Sequence, residues 1–148
     1  MNIYDIIRKD HHDAKKAIAE IHGLSSNRHI ERVKLFRLLK TALIIHNDSE
    51  DESFYEALRH NNMDMKISEQ EHKKAHELLD ALENEGLASE EWSVKFEELC
   101  EALEQHIAKE EGVIFEEAYQ ILSEDTAIKL AQKMDMLKQE KTHFLAAS

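Results

Sequence analysis

The chain has 148 residues, with no proline, three glycines, 6% aromatic and 34% charged residues, and this composition favours an all-helical fold over a β-rich one. A chain of this length forms one domain with a sizeable core, so we expect a single domain over residues 1–148. The formal net charge of −12 argues against nucleic acid or an anionic membrane as a partner, and no apolar run is long enough to span a bilayer.

Five segments carry apolar residues at the spacing of a helix face. The first, about 2–22, ends near Gly23, and the second, about 28–60, ends at the turn 61–62. The third covers about 64–85 and ends near Gly86. The fourth begins with an N-cap at Ser89 and runs to about Leu122. The fifth covers about 124–146 and is amphipathic through Ile128, Met134 and Leu137.

Two His-x-x-x-Glu pairs lie where the helical pattern requires leucine. Residues four apart share one face of a helix, so each pair directs an imidazole and a carboxylate the same way. A buried carboxylate costs roughly several kcal/mol unless it is paired or bound to a metal, so the two pairs need a common explanation. The predicted core-facing residues are Phe36, Leu39, Leu43, His46, Glu50, Ser53 and Ala57 in the second segment, and Trp92, Phe96, Leu99, Leu103, His106, Glu110 and Val113 in the fourth.

The chain also contains an internal repeat, because nearly the same spacing separates His11 from His46 and His72 from His106. Each half predicts a helical hairpin with one histidine on its first helix and a His-x-x-x-Glu pair on its second. Two such hairpins form an up-down four-helix bundle whose ligands point inward at one level, and the fifth segment adds a C-terminal helix. Further matches between the halves are Asp10 with Glu71, Ala14 with Ala75, Ile18 with Leu79, and Ile21 with Leu82.

One residue breaks the repeat, because His76 lies one turn after His72 where the first half has Lys15. Imidazoles and carboxylates facing inward from four helices suit a pair of borderline metals, iron above all, better than calcium or magnesium. Three histidines on one metal and two on the other, with shared carboxylates, would leave an open position where a small molecule binds. The predicted metal ligands are His11, His46, Glu50, His72, His76, His106 and Glu110.

These residues make the chain resemble the hemerythrin family, in its bacterial HHE cation-binding branch, over essentially its whole length. The resemblance implies a four-helix bundle around a non-haem di-iron centre with histidine and bridging carboxylate ligands. It matches His76 to the additional histidine of oxygen-binding hemerythrins. The motifs that carry the resemblance are KDHHDAK at 9–15, HNDSEDESFYEAL at 46–58, EHKKAH at 71–76 and HIAKEEGVIF at 106–115.

The chain departs from the family pattern at two places. The proline that often follows the aromatic residue of the second and fourth motifs is replaced by Glu56 and Glu116, so we expect both helices to continue unbroken. Glu111 is an alternative second carboxylate, because oxygen-carrying members place it one position later than Glu110. The helical pattern favours Glu110.

Several residues have a plainer interpretation. Cys100 adjoins a core-facing leucine and is expected to be a small buried hydrophobe, not a nucleophile, and a single cysteine excludes an internal disulfide framework. Tyr55 and the other aromatic residues of these motifs are expected to pack in the core. The remaining histidines are expected at the surface: His12, His22, His29, His60 and His143.

The sequence therefore predicts a cytoplasmic di-iron protein that reversibly binds or senses O2 or a related diatomic, and a binding protein is favoured over an enzyme. An apolar wall of Leu43, Leu103, Ile18 and Leu79 would limit the access of water. The main alternative is a stress-response role in nitric oxide, peroxide or iron chemistry at the same centre. A third interpretation is a helical interaction module with vestigial ligands. The oligomeric state is left open.

Overall fold

The computed structural model describes residues 1–84 and 90–147, and these parts of the chain form five long helices. The predicted all-α fold is confirmed. The helices are α1, Ile3–His22; α2, residues 29–60; α3, Lys66–Asn84; α4, residues 90–121; and α5, Glu124–Ala147. The predicted helix end near Gly86 and the predicted cap at Ser89 lie outside the described residues.

Local sequence signals explain where the first helices begin and end. Asn2 and Asp5 form a capping box, in which each side chain accepts a hydrogen bond from the backbone N–H of the other at 3.0 Å. The first helix ends at the predicted Gly23, whose N–H donates to the carbonyl of Ala19 at 3.0 Å. The turn after α2 uses Asn62 at a φ of 66°, a left-handed conformation that asparagine tolerates better than most residues.

Helices α2 and α4 continue without a break, as expected, but each contains one π-helical turn, at Asp51–Tyr55 and Glu110–Ile114. A π turn holds one extra residue and therefore rotates the following helix face by one position. As a result Val113, predicted to face the core, is 58% exposed, and the buried residue is Ile114. In α2 Leu58 is likewise fully buried, whereas the predicted Ala57 is only partly so.

The core consists of two apolar clusters with polar residues between them. One cluster contains Tyr4, Phe54, Tyr55 and Phe115 near one end of the bundle. The other contains Phe36, Leu79, Trp92, Phe96 and Leu103 toward the opposite end. The helix positions between the two clusters carry buried polar side chains, so the bundle has a polar layer enclosed by apolar packing on both sides. These side chains are His11, His46, Glu50, His72, His106 and Glu110.

The C-terminal helix α5 packs against α1 and α2. Its buried side chains include Ala127, Ala131 and Met134, whereas Ile128, which was expected on the apolar face, is 38% exposed. Lys138 of α5 contacts Asp10 of α1 at 2.6 Å. Within residues 1–84 and 90–147, no helix is long and apolar enough to cross a membrane.

Candidate metal centre

Each of the four bundle helices contributes one histidine to the polar layer. His11, His46, His72 and His106 come from α1 to α4 in that order, and each is at most 6% exposed. Glu50 and Glu110 follow the histidines of α2 and α4 by one turn and have no exposed surface. Both glutamates stand immediately before or at the start of a π turn, a helix irregularity that is frequent at functional sites.

The six side chains form two groups of four that share both glutamates. One group is His11, His46, Glu50 and Glu110; the other is Glu50, His72, His106 and Glu110; and within each group one ligand atom per residue lies within 4.8 Å of the others. Each glutamate is close to histidines of both halves of the chain. Oε1 of Glu50 lies 3.1 Å from Nε2 of His72 and 3.7 Å from Nε2 of His46.

Several inward-facing atoms of this cluster have no hydrogen-bond partner. They are buried and comprise Nε2 of His11, Nε2 of His46, both carboxylate oxygens of Glu50 and Oε1 of Glu110. A buried acceptor without a donor costs about 1–3 kcal/mol, and more when it is charged. Two cations between the four imidazoles and two carboxylates would satisfy these atoms, so the residues present fit a pair of metal ions.

The outward-facing nitrogen of every histidine is held by a carboxylate. Such carboxylate–histidine pairs fix the tautomer and orientation of imidazoles that bind metals. The four Nδ1–oxygen distances are 2.8 Å from His11 to Glu111, 2.7 Å from His46 to Asp10, 3.0 Å from His72 to Asp51 and 2.8 Å from His106 to Glu71.

These four carboxylates follow the internal repeat. Asp10 and Glu71 orient the second histidine of their own half. Asp51 and Glu111 directly follow the shared glutamates and orient the first histidine of the other half. Helical spacing did not predict this role for any of the four, although the match between Asp10 and Glu71 in the repeat was the available signal. Glu111, the alternative second carboxylate, lies outside both four-residue groups, and Glu110 lies within both.

The two shared glutamates differ in protonation when no metal is bound. Burial and the neighbouring Glu110 carboxylate raise the pKa of Glu50 well above its usual value. Burial opposes ionisation of Glu110 as well, but the close imidazoles of His106 and His11 outweigh it and hold this pKa well below the usual range. The two pKa values are thus shifted in opposite directions, so Glu50 is the carboxylate that more readily holds a proton, which a cation in the centre would displace.

Two of the outer carboxylates, Glu71 and Asp10, have lowered pKa values and remain ionised. The hydrogen bond from His106, assisted by Lys109, lowers the pKa of Glu71 to about 2 against the effect of burial. Burial acts against the charge of Asp10, but hydrogen bonds from His46 and Lys138 outweigh it and keep its pKa below the ordinary value. Negative charge thus surrounds the histidines at neutral pH, which favours cations in the centre.

Tyr55 makes the two groups unequal. Its ring stacks on His72 at a centroid distance of 5.0 Å, and its hydroxyl donates a hydrogen bond to Oε2 of Glu110. The same hydroxyl lies 3.4 Å from Nε2 of His72 and 3.5 Å from Nε2 of His106. Burial, with the two nearby glutamates, raises the pKa of Tyr55 well above its ordinary value, so it keeps its proton at neutral pH. Tyr55 was expected to pack in the core, and it does so, but its hydroxyl also reaches the centre.

The structure does not bring His76 into either group. It is partly exposed, and its Nε2 lies 3.3 Å from Nδ2 of Asn47. His76 shares a helix face with His72, one turn away, but its ring contacts Asn47 and not the shared glutamates, so its role as a ligand stays a prediction from the sequence. The five histidines expected at the surface are all exposed: His12, His22, His29, His60 and His143.

Two cavities reach the centre from different sides. The larger, of about 510 Å³, lies between α1, α2, α4 and α5 and reaches His11, His46 and His106. The smaller, of about 220 Å³, lies between α2, α3 and α4 and reaches His72 and His106. Of the predicted apolar wall, Leu43 and Leu103 line the larger cavity, whereas Ile18 and Leu79 line neither.

Comparisons with known proteins agree with this geometry. The family model of the hemerythrin HHE cation-binding domain matches residues 2–118. The fold is similar to the crystal structure of a hemerythrin HHE cation-binding domain-containing protein from Mycobacterium kansasii, with a TM-score of 0.84 and 22% identity, over 95% of this chain and 87% of that one. No curated protein gives a significant sequence match. Since the family match includes all six clustered residues, this chain belongs to the hemerythrin HHE cation-binding domain family.

Proposed function

We propose that this protein holds two iron ions between its four helices and uses them to bind or sense O2 or a related diatomic reversibly. The observation that carries the proposal is the pair of four-residue groups that share Glu50 and Glu110, with buried inward-facing atoms that lack partners. Imidazole nitrogen with carboxylate oxygen is a donor set that suits iron. We propose His11, His46, Glu50, His72, His106 and Glu110 as the ligands.

The side chains around the centre orient the imidazole ligands and supply negative charge between the proposed cations. The four carboxylates on the Nδ1 atoms fix every imidazole with its Nε2 directed inward. Glu50 and Glu110 place negative charge between the two cation positions, which offsets the repulsion of like-charged ions. When bound, the irons would supply electrons and an open coordination position for the diatomic.

The larger cavity supports a small apolar ligand. Leu39, Leu43, Leu103 and Ile107 line it beside His11 and His46. Polar residues such as Asp10 and Lys138 line the same cavity, but its lining is mainly apolar, which favours a small apolar ligand such as a diatomic. Neither His11 nor His46 has a tyrosine hydroxyl among its hydrogen-bond partners in the described residues, and we place the diatomic beside these two histidines.

Tyr55 supports the stress-response alternative. Its hydroxyl keeps a proton and lies within 3.5 Å of Nε2 of both His72 and His106. A hydroxyl at that place can donate a hydrogen bond to a bound peroxide oxygen. The stress-response alternative therefore concerns the group that contains His72 and His106, with hydrogen peroxide as the small substrate.

Metal analysis with optical spectroscopy tests the proposal. Protein from iron-replete cells should contain about two irons per chain, and the reduced protein should give a new absorption spectrum in air that reverses under vacuum. Turnover of hydrogen peroxide without a stable spectrum in air would instead favour the stress-response role. Protein free of metal but equally stable with and without added iron would leave only the vestigial interaction module.

A further inference from the structure

A second cluster of metal-ligand side chains lies away from the polar layer. His22 at the end of α1, and Glu97 and Cys100 on α4, each offer one ligand atom, and these three atoms lie within 4.8 Å of one another. Cys100 precedes His106 by about 9 Å along the helix axis, so the cluster lies on the other side of the apolar residues around Leu103. It shares no residue with the two groups of the polar layer.

The geometry of the cluster is partly fixed by its surroundings. Glu97 and Cys100 are three apart on one helix and therefore share a face. Nε2 of His22 and Oε1 of Glu97 form a hydrogen bond at 2.5 Å, which a bound metal would replace. The ring of His22 packs edge-on against Phe96 at a centroid distance of 5.4 Å, and Phe96 in turn stacks on Trp92. The imidazole is thus held by an aromatic layer beside the thiol.

The electrostatic environment favours a cation. Burial, with the carboxylates of Glu97 and Glu104, raises the pKa of the Cys100 thiol to about 12. The thiol is therefore neutral and unreactive at neutral pH without a metal, and the same carboxylates attract positive charge. His22 and Glu97 have side chains that are 45% and 64% exposed, so an ion can reach the cluster from solvent.

We propose that His22, Glu97 and Cys100 form a third metal site, which takes a borderline divalent cation of the zinc class. Nitrogen, oxygen and sulfur from three residues are the donors that zinc takes, and a fourth, tetrahedral position stays open to water. On binding, the Cys100 sulfur forms a bond to the metal and its proton passes to solvent. The site would exchange its ion with solvent, since two of its three ligands are exposed.

Cobalt(II), a spectroscopic substitute for zinc, tests this site separately from the iron centre. Cys100 is the single cysteine of the chain, so any sulfur-to-cobalt charge-transfer band must come from this residue. Cobalt should be added without oxygen to protein already loaded with iron. We expect one such ultraviolet band per chain, saturating at one cobalt, and we expect equimolar zinc to remove it.

Variants assign the ligands. Cys100→Ser should abolish the band, and His22→Gln, a change at a half-exposed residue that should not impair folding, should weaken cobalt binding by about tenfold or more. His60→Gln is the matched control, because His60 and Glu56 form an exposed pair at 3.8 Å. No band at excess cobalt overturns the proposal. A band that His22→Gln and Glu97→Gln leave unchanged overturns it as well.

Discussion

Replacing Glu50 with glutamine should have opposite effects on metal binding and on the stability of the metal-free protein. The side chain is fully buried between four histidines and belongs to both groups of four. Glu50→Gln keeps the shape but removes one of the two negative charges between the proposed cations. We expect the metal content to fall from about two ions per chain to one or none, measured by elemental analysis after iron loading.

The metal-free variant, in contrast, should be more stable than the wild type at pH 7. If Glu50 and Glu110 were both ionised at the 4.8 Å limit of their cluster, they would repel by about 3.5 kcal/mol at an effective dielectric constant of 20. Protonation of Glu50 in the wild type relieves part of this repulsion. We therefore expect the free energy of unfolding of the metal-free variant to exceed that of the metal-free wild type by about 1–3 kcal/mol. For a chain of this size, each kcal/mol raises Tm by about 2–4 °C.

The dependence of the free energy of unfolding on pH separates the effect of the Glu50 charge from an effect of packing. The raised pKa of Glu50 contributes stability that is fully present below the unfolded-state pKa and is lost as the pH rises through the folded-state pKa. The wild type and the variant should therefore converge in acid and diverge toward neutral pH. Urea unfolding of chelator-treated protein measures this, with the exposed Glu20→Gln as control. A variant that retains two metals, or that is less stable than the wild type at pH 7 without metal, would refute the reasoning.

Three further changes probe the surroundings of the centre. Asp10→Ala removes the acceptor of His46 and should weaken metal retention about 10–100-fold in chelator competition, whereas Asp13→Ala, an exposed neighbour, should not. Tyr55→Phe removes the donor to Glu110 and should lower the free energy of unfolding of metal-free protein by about 1–3 kcal/mol; no change in urea unfolding would contradict the hydrogen bond. His76→Leu should keep the metal content of the wild type, and loss of one metal would restore the ligand role predicted from the sequence.

Much of the fold follows from local sequence information. Apolar spacing, Gly23 and the turn 61–62 predict helix positions because helix formation and helix ends depend on residues close in the chain. The His-x-x-x-Glu pairs and the repeat predict which side chains point inward, because the helical period fixes their face. This reasoning brings His11, Glu50 and their partners to one level before any tertiary contact is known.

Helical spacing predicted the wrong buried residues after the π turns in α2 and α4, because the helical period changes there. The π turns rotate the faces that follow Glu50 and Glu110, so Val113 is exposed and Ile114 is buried. A π turn inserts one residue into the helical period, and such turns are frequent at functional sites. No spacing rule within one helix contains that information.

The sequence by itself determined the helices, their inward faces and the residue types of the centre, since each depends on the helical period along one segment. Only the tertiary structure decided which carboxylate orients which histidine, as with Glu111 of α4 on His11 of α1. It also placed His76 outside the cluster and the Tyr55 hydroxyl within it. These outcomes depend on distances of a few ångströms between helices, which side-chain packing fixes and which periodicity along a single helix does not specify.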